Sequence, residues 1–480
     1  MKILVAIASW GTTNDQYLAQ LVHEYGSMSF EVHVVVISNV RKTIVPGAEL
    51  FLFDSTGKNP HSLPFSHKKI FADHLNEYDL FIYSEDDILI TESNIRAYLG
   101  ACAVLKENEI PGFFRFERGT DGHVNYPEVH GPFHWECQSV RLRGDHVFAS
   151  FTNEHAACYA ITRSQLRRAI ATGGFLVEPH CGTYDMICSA STDPYTQCGF
   201  EKVIGISPLD DFLVHHLSNR YLGTTFGAGE TELRGQVEAL LQIGRNCHRP
   251  TPLFPTKSKL MTWRFSKDCY EPAQLDLVAA IPQAARNVLS IGCGSGATEA
   301  ALTKKGLRVV AVPADTVFAG CARANGVEVI DWDGATARTK LDGEQFDCLL
   351  LVDVLHLIQD PRAAVSTFAP LLRPGATVIA RVPRVSRLTT AYRVIRGDQK
   401  IREMGNYAQT GVHFTSPRTI RRWLGNAGFQ IESVANQIPS TFASYPRALQ
   451  LILNPILPMK MGVKMVVTAT KRSSSPPKDL

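Results

Sequence analysis

The sequence predicts an α/β protein of two domains, the second a doubly wound Rossmann-like sheet. Three observations carry this reading. The chain opens with strand, helix, strand within its first 38 residues: Ile3 to Ala8 and Val32 to Ile37 are apolar runs on either side of an amphipathic stretch, which is a βαβ unit. From about Asn287 onward, apolar strands near 287–291, 308–312, 327–330, 347–352 and 376–382 alternate with helical patterns, as in an open parallel sheet covered on both faces. Finally, 480 residues exceed what one ordinary core organises.

Composition narrows the function class. The chain is 45% hydrophobic and 20% charged, as a globular protein is, and its formal net charge is +3. That near-balance speaks against a dedicated nucleic-acid binder, which carries a strong basic excess. The 11 cysteines are odd in number, lack any CxxC pair and sit in apolar stretches, so they read as reduced thiols of a cytoplasmic protein. His180, Cys181, Cys188 and Cys198 lie near one another, but their spacing matches no common zinc pattern. No signal peptide is expected, because the opening apolar run is brief and ends at Trp10-Gly11. No stretch is long enough to span a bilayer: Ala448 to Pro458 is broken by Asn454 and prolines.

In the first domain, Leu18, Leu21 and Val22 mark one face of a helix over Asp15 to Tyr25. A strand over Leu80 to Tyr83 runs into Glu85-Asp86-Asp87, and a helix follows near Ser93. Pro111 to Glu117 reads as an aromatic strand, and another helix opens at Thr162. Between 222 and 262 the composition changes to Gly-Thr-Thr-Phe-Gly-Ala-Gly, one short helical run (Glu232 to Ile243) and a proline-rich segment. The expected organisation is a first domain over 1–222, a linker with a short helix over 223–262, a second domain over 263–470 and a disordered tail over 471–480.

In the second domain, Val288-Leu-Ser-Ile leads into Gly292-Cys293-Gly294-Ser295-Gly296 and directly into a helix. Glycines there let the backbone turn tightly and approach a ligand, and the helix start presents free N–H groups. The spacing is G-x-G-x-G rather than the dinucleotide G-x-G-x-x-G. Further along come Val327 to Asp333, a strand ending in carboxylates; Phe346-Asp347; Val352-Asp353-Val-Leu-His356; Asp360-Pro361; Leu371-Leu-Arg-Pro374-Gly375; and His413-Phe-Thr-Ser416 before a helix ending at Gly428-Phe429. In order and spacing this series resembles class I S-adenosylmethionine-dependent methyltransferases over roughly residues 265–470.

That resemblance implies a methionine and ribose site at Gly292, Cys293, Gly294 and Gly296, an adenine contact at Asp333 with Trp332 beside it, and a cofactor- or acceptor-facing Asp353. The family usually ends its second strand in an acid that binds the ribose hydroxyls. Pro313 holds that position here, so either Asp315 takes over from a shifted turn or the cofactor site is weak or degenerate. A hydroxyl acceptor profits from a base, and histidine suits neutral pH. The candidates are His356 and His413; for each, the plainer alternative is packing near the site.

The first domain carries a different pattern. Three acids at a strand end are costly unless solvated or neutralised by a cation. Following a βαβ unit, Glu85-Asp86-Asp87 resembles the metal-binding acids of GT-A-fold glycosyltransferases, over about residues 1–222. The resemblance implies Mn²⁺ or Mg²⁺ holding a nucleotide-sugar donor, with ligands among Glu85, Asp86, Asp87 and His216. Asp185, then Glu178, would be the base against the acceptor. The combined expectation is a cytoplasmic S-adenosylmethionine-dependent methyltransferase acting on a glycan or other small hydroxyl acceptor, fused to a metal-dependent glycosyltransferase. The alternatives are a first domain that only binds glycan, or a non-catalytic scaffold.

Overall fold

A computed structural model describes residues 1–43, 47–128, 133–223, 227–246, 253, 265–331, 339–385, 390–391, 394–395, 406–437 and 464–472. The chain divides into two compact units. One is formed by residues 1–130, 134–230 and 240–248, the other by 131–133, 231–239 and 249–480. The helix that the sequence places in the linker, α6, runs over Glu230–Asn246, longer than expected, and its residues fall to both units. Most of the rest of that linker, and residues 473–480 of the expected tail, lie outside the described residues.

The N-terminal unit contains, in order, β1 (Lys2–Ser9), α1 (Asp15–Ser27), β2 (Glu31–Ser38), β3 (Ala48–Leu52), α2 (Ser66–Asp73), β4 (Leu80–Glu85), β5 (Ile88–Leu89), α3 (Glu92–Val104), β6 (Glu109–Pro111), β7 (Phe114–Arg118), β8 (Val124–Tyr126), β9 (Arg141–Arg143), β10 (His146–Ala149), β11 (Cys158–Thr162), α4 (Arg163–Ala171), α5 (Met186–Thr196), β12 (Glu201–Gly205), β13 (Leu213–His216) and β14 (Ala228–Gly229). Its main sheet has the order β11-β4-β1-β2-β3, parallel except for β11. β1 is buried from Ile3 to Ser9, as a central parallel strand must be. The helix starts are set by side chains. Thr91 and Asn94 form a capping box on α3, and Thr162 and Gln165 form another on α4.

Because β1 pairs with both β2 and β4, strand order reverses between β1 and β4. The crevice outside the carboxyl ends of such strands is where open α/β sheets bind ligands. Glu85 ends β4 at that place. A second sheet, β14-β8-β7-β13-β5, sets Arg115 of β7 opposite Val214 of β13.

The C-terminal unit contains α7 (Leu275–Ala280), β15 (Asn287–Cys293), α8 (Ala297–Lys304), β16 (Arg308–Pro313), α9 (Thr316–Ala324), β17 (Glu328–Val329), β18 (Phe346–Val352), α10 (Pro361–Phe368), β19 (Leu372–Pro383), α11 (Tyr407–Thr410), α12 (Pro417–Asn426), β20 (Phe429–Gln437) and β21 (Lys464–Lys471). One sheet joins all the strands in the order β17-β16-β15-β18-β19-β21-β20, with only β21 antiparallel to its neighbours. The expected Rossmann-like doubly wound fold is present, and two strands beyond the five expected complete it. The continuous core includes Leu289, Ile291, Val310, Leu349, Leu351 and Val378. Order reverses here between β15 and β18, so the glycine loop after β15 and Asp353 after β18 border the crevice.

Candidate functional site

In the C-terminal unit each glycine of the loop answers a local demand. Gly292 has φ +76° and sits where the pairing of β15 with β16 slips by a residue, a bulge that re-aims the chain. Gly296 has φ +81° and caps α8 in the left-handed region, which a Cβ disfavours. A Cβ on Gly294 would stand 2.4 Å from the carbonyl oxygen of Cys269. The segment around Cys269 thus lies directly on the loop, and Cys269 accepts a hydrogen bond from Ser295 N–H at 2.7 Å. A small cavity beside the loop is lined by Lys267, Cys269, Glu271, Cys293, Gly294 and Thr298, among others. Cys293 is buried, and burial pushes its thiol up, so it is a packing thiol there.

Asp353 follows β18 with φ +55°, a strained conformation for a non-glycine residue. A buried ionic network holds it. Arg381, at the end of β19, donates to Asp353 Oδ2 at 2.5 Å, and Lys464 donates to the same oxygen at 2.6 Å. Arg381 also bonds Glu271 and Gln274. Lys267 joins Glu271 at 3.0 Å and the Val352 carbonyl at 2.9 Å. Burial alone would raise the Asp353 carboxyl, but Lys464, Arg381 and Lys267 outweigh it and hold it well below the usual range. Its second oxygen, Oδ1, is buried with no hydrogen-bond partner among the described residues. Lys267, Glu271, Arg381 and Lys464 escaped the sequence reading; the signal for Arg381 was a charged residue ending an otherwise apolar strand.

The two histidines differ. His356 is buried, and its Nε2 lies 3.0 Å from the Phe265 carbonyl. A carbonyl only accepts, so Nε2 carries the hydrogen and Nδ1 keeps the lone pair. That Nδ1 is buried without a partner among the described residues, and desolvation pushes the imidazole down to about 4. His413 is half-buried, directs Nε2 to the carbonyls of Ile358 and Gln359, and stacks on Tyr407 with ring centres 4.5 Å apart. Its contacts are those of a packing residue.

Asp315 is buried and caps α9, accepting from the amides of Val317 and Phe318 at 2.8 and 3.0 Å. Desolvation raises it to about 7. The expected ribose acid thus has a structural duty through Oδ1. Trp332 and Asp333 lie outside the described residues.

In the N-terminal unit the four expected metal ligands do not converge. Asp86 turns to Ser9 and Asn14, whose hydroxyl and amide donate at 2.5 and 2.7 Å; burial raises its carboxyl to about 6. Asp87 and His216 do meet, at 3.1 Å, and Arg220 joins Asp87 at 3.1 Å. Glu85 has one buried oxygen without a hydrogen bond among the described residues, 3.8 Å from His155 Nε2, and desolvation raises it to about 7. Asp185 is exposed and caps α5 through the Cys188 amide at 2.9 Å. Glu178 is exposed. Both expected bases therefore lie at the surface, and Asp185 is committed to its helix. The zinc possibility is also not realised: His180 pairs with Asp193 and Cys181 is exposed. Among the described residues no group of three or more His, Cys, Asp or Glu is arranged to hold a metal ion. The sequence reading passed over Arg115 and Arg220, whose charges act on Glu85, and Glu117, which pairs with His216.

Comparison with known proteins agrees with the geometry of the C-terminal unit. The profile of a family described as "Methyltransferase domain" matches residues 263–434. The ubiquinone biosynthesis O-methyltransferase of Xylella fastidiosa (strain 9a5c) is 28% identical over 173 residues, covering 34% of this chain and 69% of that protein. The enzyme of the same name from Xanthomonas oryzae pv. oryzae (strain PXO99A) is 26% identical over 174 residues, covering 35% and 72%. Among solved structures, magnesium protoporphyrin IX methyltransferase from Synechocystis PCC 6803 aligns with TM-score 0.27 and 18% identity over 38% of this chain and 73% of that one. No helix of the described residues is long and apolar enough to cross a membrane. The C-terminal unit is a class I S-adenosylmethionine-dependent methyltransferase domain.

Proposed function

We propose that this domain binds S-adenosylmethionine in the crevice between β15 and β18 and methylates a hydroxyl oxygen of a small acceptor. The observation that carries the reading is the convergence, at the reversal of strand order, of the glycine loop with the buried groups of Asp353 and His356. The residues suit the cofactor. The loop glycines leave its edge free of side chains, and Glu271 lines the cavity beside them with a carboxylate for an amine. When bound, S-adenosylmethionine supplies an electrophilic methyl group on a sulfonium.

The chain's own part is to orient the acceptor and take its proton. His356 Nδ1, unprotonated and unpartnered among the described residues, is the base we assign. Nδ1 would take the proton of the acceptor hydroxyl as its oxygen bonded the methyl carbon, the broken sulfur–methyl bond leaving its electron pair on a neutral thioether. O-methyl transfer is favoured by the likeness to the Xylella and Xanthomonas ubiquinone biosynthesis O-methyltransferases. A glycan remains within the same acceptor class. The test is transfer of labelled methyl from S-adenosylmethionine to a panel of catechols, phenols and sugars. Labelled ether product with wild type, reduced about 100-fold by His356→Gln with cofactor binding intact, supports the proposal. Label on nitrogen or carbon acceptors alone contradicts it.

A second reading concerns the N-terminal unit, as a nucleotide-sugar-binding glycosyltransferase-like module. It is favoured by the acids at the carboxyl end of β4, beside the reversal of order in its parallel sheet.

A further inference from the structure

The resemblance at Glu85, Asp86 and Asp87 implies a divalent cation, and the side chains do not fit one. Asp86 uses one oxygen for the Ser9 hydroxyl and the other for the Asn14 amide. Asp87 Oδ2 receives Arg220 Nη2 and His216 Nε2. On its other side His216 Nδ1 meets Glu117 Oε1 at 2.6 Å. An ionised carboxylate only accepts, so a histidine between two of them carries both hydrogens and has no lone pair for a metal. Two protein cations, His216 and Arg220, thus already neutralise Asp87 and Glu117.

Arg115 points to what the site does hold. It is 7% exposed, yet its Nε has no hydrogen-bond partner among the described residues. Its guanidinium carbon stands 5.7 Å from the centre of the Tyr221 ring. Glu85 and Glu128 feel its charge, but neither bonds to it. A buried guanidinium with an unpartnered Nε–H suits a planar or tetrahedral oxyanion, and arginine suits phosphate in particular. In the loop after β1, at the same edge of the sheet, Trp10 is 47% exposed and offers a face on which a base can stack.

We propose that the N-terminal unit binds a phosphate-bearing ligand of the nucleoside diphosphate class through Arg115 and Arg220, with no divalent cation. The inference rests on the nucleotide-sugar reading of this unit and departs from it on the metal. Glu85 then is not a ligand but a carboxyl whose ionised form opposes the anion.

Calorimetric titration of the full chain with uridine, guanosine and adenosine diphosphates and with pyrophosphate, in EDTA and again in Mn²⁺, tests it. At least one probe is expected to bind in EDTA with the same affinity as in Mn²⁺. Arg115→Gln should weaken that binding by about tenfold or more, and Glu85→Gln should tighten it. That gain is one that misfolding cannot produce. Binding that needs Mn²⁺ and is lost in Glu85→Gln overturns the inference while sparing the nucleotide reading. Metal-free binding indifferent to both variants overturns the assignment of the site. Failure of every probe in both buffers overturns the inference and the nucleotide reading together.

Discussion

His356 titrates far below an exposed histidine because its ring is stripped of water and its Nε2 is tied to the Phe265 carbonyl. An unfolded histidine takes a proton near pH 6.5, whereas the folded one resists until about 4. Between those values the unfolded chain binds more protons, so His356 makes the fold less stable as pH falls through this window. The loss reaches at most roughly 3 kcal/mol. Urea unfolding of wild type and His356→Gln across the window should show the wild type losing more; parallel curves would contradict the burial. The sequence offered Asp353 through its resemblance to class I methyltransferases, and His356 because histidine suits proton transfer near neutral pH. It could not offer the rest of the network. Lys267, Glu271, Arg381 and Lys464 come from far-apart segments, and only the folded chain brings them to Asp353. Likewise Asp86 and Asp87 are adjacent in sequence, yet their carboxylates serve different partners.

The strands most readable in the sequence were the buried parallel ones, whose near-continuous apolar runs leave little ambiguity: β15, β16, β18 and β19 fall where expected within a few residues. β20 and β21 were missed for a physical reason. β20, FQIESVANQ, is a polar edge strand with one buried residue; β21 buries alternate residues, Met465, Val467 and Ala469, but valine and threonines on its other face blur that period in the sequence. α9 shows the opposite case, a readable start with a hidden purpose. Asp315, offered for the ribose as one of two alternatives, caps the helix with one oxygen. Asp315→Ala should cost about 1–2 kcal/mol of stability, whereas Asp315→Asn should keep the cap. Chemical unfolding paired with S-adenosylmethionine titration separates the roles. If the free oxygen also serves the ribose, Asn retains stability but binds the cofactor more weakly. Unchanged affinity in Asp315→Asn would leave the cap as its sole role.

The two units share one principle: the main sheet of each has a parallel centre whose strand order reverses, between β1 and β4 in one and between β15 and β18 in the other. The division into α/β domains followed from strand–helix alternation, while the reach of each unit did not, since the helix over Glu230–Asn246 lies in a stretch whose composition reads as a connection. The methyltransferase assignment depends above all on the crevice at Gly294, where an added Cβ would drive into Cys269 and displace the segment bearing Lys267 and Glu271. Calorimetric titration of the full chain with S-adenosylmethionine, beside Gly294→Ala, is the most direct test. Binding at micromolar strength that falls about tenfold or more in the variant, with both proteins folded, is the predicted result. An intact chain that does not bind S-adenosylmethionine, or a variant that binds it equally well, would contradict the placement of the cofactor in this crevice.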